Sequence, residues 1–329
     1  MNTTLKRWLV AACAGLSTAL TAFTANAQTY PDRPVRVVVP FAAGNTLDTA
    51  LRQLGEEFKK DTGQPIIVDA KPGGSGIIAA QTVMQAPPDG YTLLLSNTSM
   101  LTINPYTFSK LPYDNEKSFK HVTGFVGASM VLAVNAAQVP ANNLKEFIAW
   151  VKTQPGKVSY ASFTAGNSSH FAGVILNQRA GLDMVHVPFN GTPPAVQNLV
   201  GGQVQAAFLP VLAVKPHLDS GKVKVLAVTT PQRSPMMSSV PTFTEEGFPD
   251  MQIYIWSGFS APAGTPDALV QRIQAVLAKA LKSEAIIEKW RPMDFHPLPF
   301  TADEYLKFIR TDAKRWQEAV KISGFKASE

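Results

Sequence analysis

Eight short runs of β-branched and apolar residues alternate along the chain with segments of helical spacing, and this alternation constrains the fold more than any other feature. The runs are VRVVVPF (35–41), PIIVDA (65–70), YTLLLSN (91–97), MVLAVN (130–135), KVSYAS (157–162), MVHVPF (184–189), AAFLPV (206–211) and KVKVLAVTT (222–230). Between them, Leu47, Leu51, Leu54 and Phe58 stand at i, i+4, i+7 and i+11, one face of a helix, and Leu144, Phe147, Ile148 and Val151 do the same. Asn143 with Glu146 three residues on reads as a capping-box start. Thr265-Pro266 places a cap and an N1 proline before DALVQRIQAVLAKAL, and Thr301 with Glu304 opens a last long helix bearing Tyr305, Phe308, Ile309 and Trp316. Such alternation implies α/β layers with largely parallel sheets. A chain of 329 residues exceeds what one open sheet needs, so two lobes are expected. No repeat, low-complexity tract or flexible linker separates them. The lobes should therefore be joined by crossing strands, with VLAVN (131–135) and IYIWSGFSAP (253–262) as candidates. Lobe 1 is expected to be 28–129 plus 253–329 and lobe 2 to be 130–252, with the ligand in the cleft at the strands' carboxyl ends.

Residues 1–27 have the form of a secretory signal peptide. Lys6 and Arg7 precede a small and apolar run ending in Ala25-Asn26-Ala27, with cleavage expected before Gln28. A transmembrane anchor is disfavoured because Ser, Thr, Gly and Ala dilute the run and no basic stop follows. The lone cysteine, Cys13, lies in a lipobox-like VAAC, but the apolar stretch before it is short, and cleavage after Ala27 is preferred. The mature chain then has no cysteine and no disulfide, which suits a bacterial periplasmic protein. Removing Lys6 and Arg7 from the 30 basic residues leaves 28 against 24 acidic ones, near +4. The charges are interleaved, without the basic stripe of a nucleic-acid binder.

Two turns carry the candidate chemistry. In PFAAGNTLD (40–48), Gly44 permits positive φ, Ala42 and Ala43 keep the turn thin, and a helix starts near Thr46. Free N–H groups and the helix dipole there suit a carboxylate or phosphate. An ordinary strand–helix connection capped by Asn or Thr fits equally well. Neither the Walker nor the dinucleotide pattern is present. Asp48 would cap locally or meet a donor on a ligand. SYASFTAGNSSHFAGVIL (159–176) repeats the plan, with Ser168 or Ser169 as cap, so two turns could clamp one anion. Ser168, Ser169 and His170 lack a nucleophile elbow, and His170 reads as a packed or surface residue. KPGGSG (71–76) is a turn into another helix. In VPFNGTPPAVQNL, Phe189, Asn190 and Gly191 lie at a strand's carboxyl end before a helix capped by Thr192 with Pro193 at N1. The histidines have no metal-ligand spacing, and neither metal nor cofactor is expected.

The ordered segments YPDRPVRVVVPFAAG, PPDGYTLLLSN, INPYTFSKLPYD, KVSYAS…SSH, VHVPFNGTPPAVQNLVGGQV, GKVKVLAVTTPQRSP, VPTFTEEGFP and SGFSAPAGTP resemble the Bug family, the extracytoplasmic receptors of tripartite tricarboxylate transporters. The resemblance spans nearly all of 30–325. It implies a two-lobed type II periplasmic binding protein, a "Venus flytrap", that takes small carboxylic acids to a membrane permease of two subunit types. It further implies a monomeric, non-enzymatic receptor whose ligand carboxylate lies between turns corresponding to Phe41–Asp48 and Ser162–Ser169. Within those turns the expected ligand-binding residues are Phe41, Ala43, Gly44, Asn45, Thr46, Asp48, Phe163, Thr164, Asn167 and Ser168, and the strand end at Phe189 and Asn190 is expected to add to them. Three places depart from the family pattern. Asn45 replaces a glycine and should tolerate a left-handed backbone, Phe163 and Thr164 enter where small residues are usual, and Leu209-Pro210 replace an acid and an amide. Phe41, Phe163, Phe189 and Leu209 would then form an apolar pocket for a ligand with one anionic end and an apolar or aromatic body, unless Phe163 and Leu209 turn into the core. A sensor feeding a membrane signalling protein is the alternative role. A periplasmic enzyme would need a nucleophile with its base, or a metal cluster, and neither is visible.

Overall fold

A computed structural model describes residues 30–327; the leader, its cleavage point and Cys13 lie outside them. Strand β1 (Val35–Val39) runs parallel to β2 (Ile66–Ala70) and β3 (Thr92–Asn97), one on each side. Its Val37, Val38 and Val39 are wholly buried, as expected of a central strand covered on both faces. β3 pairs antiparallel with β9 (Tyr254–Pro262), and β9 with β4 (Phe119–Asn135).

β4 is 17 residues long and serves two sheets. Phe119–Ser129 pairs with β9, and Val126–Ala128 also pairs with β10 (Phe295–Pro297). From Met130 onward its partners are β7 (Ala206–Pro210) and β8 (Val223–Val228). β7 is parallel to β5 (Ser159–Ser162), and β5 to β6 (Val185–Pro188). Parallel pairing is thus confined to strands linked by helical crossovers. Among the described residues five of the nine strand pairings are antiparallel, which corrects the expectation of largely parallel sheets. VLAVN is the end of a crossing strand. β9 is not one, since it pairs only with β3 and the first part of β4. The return passes outside any strand, where the Ile253 N–H donates to the Thr229 carbonyl at 2.8 Å.

The longer α-helices are α1 (Thr46–Thr62), α2 (Ile77–Met84), α3 (Leu144–Lys152), α4 (Ser168–Ala180), α5 (Thr192–Val200), α6 (Val211–Asp219), α7 (Asp267–Leu281), α8 (Glu284–Trp290) and α9 (Ala302–Ser323). Leu51, Leu54 and Phe58 bury one face of α1, and Gly63 ends it with φ of 74°. Asn143 caps α3 through the Glu146 N–H, and Thr301 with Glu304 forms a full capping box on α9. At α7 the boundary falls one residue late: Pro266 occupies the cap, and Thr265 turns its N–H to Pro262 instead.

α9 packs into two cores. Tyr305 and Ile309 meet Leu101 and Trp256, while Trp316, Ala319 and Val320 meet Phe147, Phe171 and Phe208. The buried Asp312 pins it in place. Its Oδ2 accepts from Trp256 Nε1 at 2.9 Å, Trp316 Nε1 at 2.8 Å and Thr102 Oγ1 at 3.1 Å. Burial pushes its carboxyl pKa up, and these donors only partly offset that. Asp312→Ala strands the two buried indole donors at about 1–3 kcal/mol each, while the Thr102 hydroxyl keeps the Thr98 carbonyl at 2.7 Å, so it should cost about 2 kcal/mol or more in urea unfolding. Asp312→Asn keeps an oxygen acceptor and should cost less than half of that.

Candidate ligand-binding site

The first turn is built on two residues. Gly44 has φ of 87°, and a Cβ there would meet nothing, so the backbone angle, not crowding, calls for glycine. Asn45 is extended, with φ −83° and ψ 172°, and caps α1: its Oδ1 accepts the Asp48 N–H at 2.9 Å and its Nδ2 donates to the Ala42 carbonyl at 3.1 Å. Asn45 is therefore not called on to take a left-handed conformation, because Gly44 takes it. Asp48 Oδ2 accepts from the Gly44 N–H at 3.0 Å and Arg52 Nε at 3.1 Å, while Oδ1 is buried with no partner among the described residues. Burial works to raise the Asp48 pKa, but the Gly44 N–H and Arg52 outweigh it and hold the carboxyl below its usual range. Ala43, Gly44, Asn45 and Thr46 are exposed and Phe41 is half-buried.

The second turn repeats this construction. Ala165-Gly166-Asn167 matches Ala43-Gly44-Asn45, with Gly166 at φ of 73° and Asn167 extended as the cap of α4. Asn167 Oδ1 accepts the N–H groups of Ser169 and His170 and the Ser169 hydroxyl, so Asn167, and not Ser168 or Ser169, is the cap. Ser169 Oγ in turn accepts the Phe163 N–H at 3.1 Å. Ser168 is buried and Thr164 exposed. The turn after β6 is bonded to this one, through the Phe189 N–H to the Ser162 carbonyl and the Gly191 N–H to the Phe163 carbonyl. Phe163 and Phe189 are thereby brought together, half-buried against the same core, and Asn190 is exposed. α5 begins with Gly191 as its cap, which moves Thr192 inside the helix and Pro193 to its second position.

A cavity of about 360 Å³ opens beside the first turn. Asn45, Thr46 and Leu47 form one rim, Thr192 and Pro210–Ala213 another. Its floor is the middle of β4 (Val126, Ala128, Ser129), with Ile255 and Ser257 of β9 and the segment Met293–Phe295. The start of α6 has no side-chain cap, and Leu212 is exposed. Of the twelve sequence-derived residues, only Asn45 and Thr46 line this cavity. Leu209, expected in an apolar pocket, is wholly buried in the core with Val131, Ala207 and Val228, because alternate residues of β7 face opposite ways and Pro210 takes the outward place. The apolar wall comes instead from Val126, Ile255, Leu212, Met293 and Phe295. No sequence spacing links these residues. The nearest signal was the Pro-Met-Asp turn at 292–294, where Asp294 has φ of 55°.

Two α/β sheets sharing a strand, with a lined cavity beside a strand–turn–helix connection, define a two-lobed periplasmic binding protein fold. The chain matches the tripartite tricarboxylate transporter family receptor over residues 50–325, and it belongs to that family. It is similar to the solved structure of the periplasmic binding protein BugD, at 31% identity and a TM-score of 0.74, covering 91% of this chain and 100% of that one. It is also similar to Rpa4515 of R. palustris with adipate (28%, TM-score 0.78, 90% of this chain and 99% of that one). MatC of Rhodopseudomonas palustris with bound malate is 32% identical, with a TM-score of 0.73, over 88% of this chain and 100% of that one. Among the described residues no helix is long and apolar enough to cross a membrane.

Behind the second turn, the His170 and His186 rings stack 3.7 Å apart, and His186 Nε2 lies 2.7 Å from Ser162 Oγ. Burial pulls the His170 pKa down to about 4, and burial with the neighbouring His170 pulls His186 down to about 3. Both are thus held neutral in the folded chain. From about pH 6.5 down to about pH 3 the unfolded chain binds more protons, so stability is full above that window and falls as pH drops through it. The urea midpoint should decline across this range, and the His170→Gln/His186→Gln variant should make the decline shallower, with the remainder coming from His121, whose burial pulls its pKa down to about 4.

Proposed function

We propose that the chain, cut before Gln28, is a monomeric receptor of the periplasm that captures a small carboxylate with an apolar body and delivers it to the permease subunits of a tripartite tricarboxylate transporter. It binds without turnover. Lobe 1 comprises 28–129 and 253–329, lobe 2 comprises 130–252, and contacts from both to the ligand favour the closed state. The observation that carries this reading is the apolar cavity rimmed by the first anion turn, in a chain of a receptor family with relatives solved holding adipate and malate. The carboxylate rests on the Phe41–Asp48 turn, through backbone N–H groups, Asn45 and Thr46. The second turn, with Thr164, Asn167 and Ser168, meets it on closing. Asp48 serves a donor on the ligand, and Phe41, Phe163, Phe189 and Asn190 border the closed site.

Native mass spectrometry of freshly purified protein should show a retained small acid. In a thermal-shift panel a matching carboxylate at 100 times its Kd should add about 2.7 kcal/mol of stability. A panel in which no carboxylate shifts the transition overturns the reading. Thr46→Ala and Ser168→Ala should each weaken binding about two- to tenfold, the worth of one hydrogen bond, without unfolding the chain. Unchanged affinity in both would move the carboxylate away from these turns.

A further inference from the structure

One ionisable side chain lines the cavity, and the function proposed above gives it no task. Asp294 is 2% exposed, yet it forms part of the cavity wall. Both of its oxygens already act as acceptors: Oδ1 from Ser234 Oγ at 2.5 Å and Oδ2 from the Ser129 N–H at 3.2 Å. A carboxylate offers about four lone-pair sites, so Asp294 can take further donors. Two titratable groups neighbour it: His296, whose Nε2 lies 3.8 Å from Oδ1, and Tyr254, whose phenol pKa is raised by burial and by the Asp294 charge. No lysine or arginine lines the cavity, and its other walls are mostly apolar.

We infer that Asp294 is a specificity-determining residue, selecting ligands that end in a hydroxyl or ammonium donor or in plain hydrocarbon, and rejecting those that bring a second carboxylate into the cavity. The inference rests on the carboxylate-receptor reading and narrows its ligand class. The anionic end of the ligand lies at the first turn and its body enters the apolar space. Asn45 and Thr46 line the same cavity of about 360 Å³ as Asp294, so a body reaching in from the first turn shares that space with the Asp294 side chain. A second carboxylate there meets a like charge in surroundings of low dielectric, with no cation in the wall to offset it. A hydroxyl or ammonium meets an acceptor that Ser129 and Ser234 already hold in place.

The test is calorimetric titration of the mature chain at about pH 8. The probes are straight-chain monocarboxylates, their ω-hydroxy derivatives and dicarboxylates, each of three to eight carbons. Hydroxy acids and monocarboxylates should bind about tenfold or more tightly than dicarboxylates of equal length, as like charges several Å apart require. Asp294→Asn keeps an acceptor for Ser129, suits the left-handed backbone, and removes the charge. It should raise the ratio of dicarboxylate to monocarboxylate affinity about tenfold, a change that a purely structural role for Asp294 would not produce. Wild-type protein that binds dicarboxylates as well as monocarboxylates overturns the inference and leaves the receptor reading intact, and this ratio decides the matter even if the variant does not fold. Binding by none of the probes overturns both.

Discussion

The whole molecule depends on β4 passing unbroken from one sheet to the other. Backbone N–H and C=O groups that leave water need partners, and β4, buried along nearly all of its 17 residues, pairs with β9 along its first part, joined by β10 at Val126–Ala128, and with β7 and β8 on either side from Met130 onward. The delicate point is the changeover at Ser129–Met130, where one set of strands ends and the next begins. Side chains take over there: Asp294 accepts the Ser129 N–H, and Thr229 Oγ1 accepts the Met130 N–H at 3.2 Å. The cavity floor is formed by this same stretch. A ligand resting on it touches the place where the two sheets are stitched together.

The two Gly-Asn turns show one solution used twice. In each, a glycine with positive φ lets the chain double back, and the asparagine after it caps the helix with its side chain. Because the asparagine oxygen serves the cap, the remaining first-turn N–H groups are presented by a rigid frame and need no bulky side chain around them. The turns differ in their surroundings. The first is open, whereas the second is packed against the stacked pair of buried His170 and half-buried His186 and bonded to the turn after β6.

Local chemistry was legible wherever it was decided by neighbours in the chain. The Thr301–Glu304 box, the Asn143 cap and the buried face Leu51–Leu54–Phe58 follow from spacing alone. Caps were misplaced by one residue where proline or glycine competed with Thr, as at Pro266 and Gly191. The direction of strand pairing was not legible, since an antiparallel return and a parallel crossover have the same hydrophobic run. Nor was the outward face of AAFLPV: a strand covered on both sides carries no alternation to show that Leu209 turns inward and Pro210 toward the cavity.

By itself the sequence determined the class of elements, their order, the two Gly-Asn turns and the family, because these rest on residues within a few positions of each other or on motifs in fixed succession. Only the tertiary structure decided that β4 would serve two sheets and that α9 would fasten both cores through Asp312. It alone placed Val126, Ile255, Leu212, Phe295 and Asp294 around one space. Those residues come from four distant segments, and what joins them is the register of strands and the burial of helix faces, which no local pattern encodes.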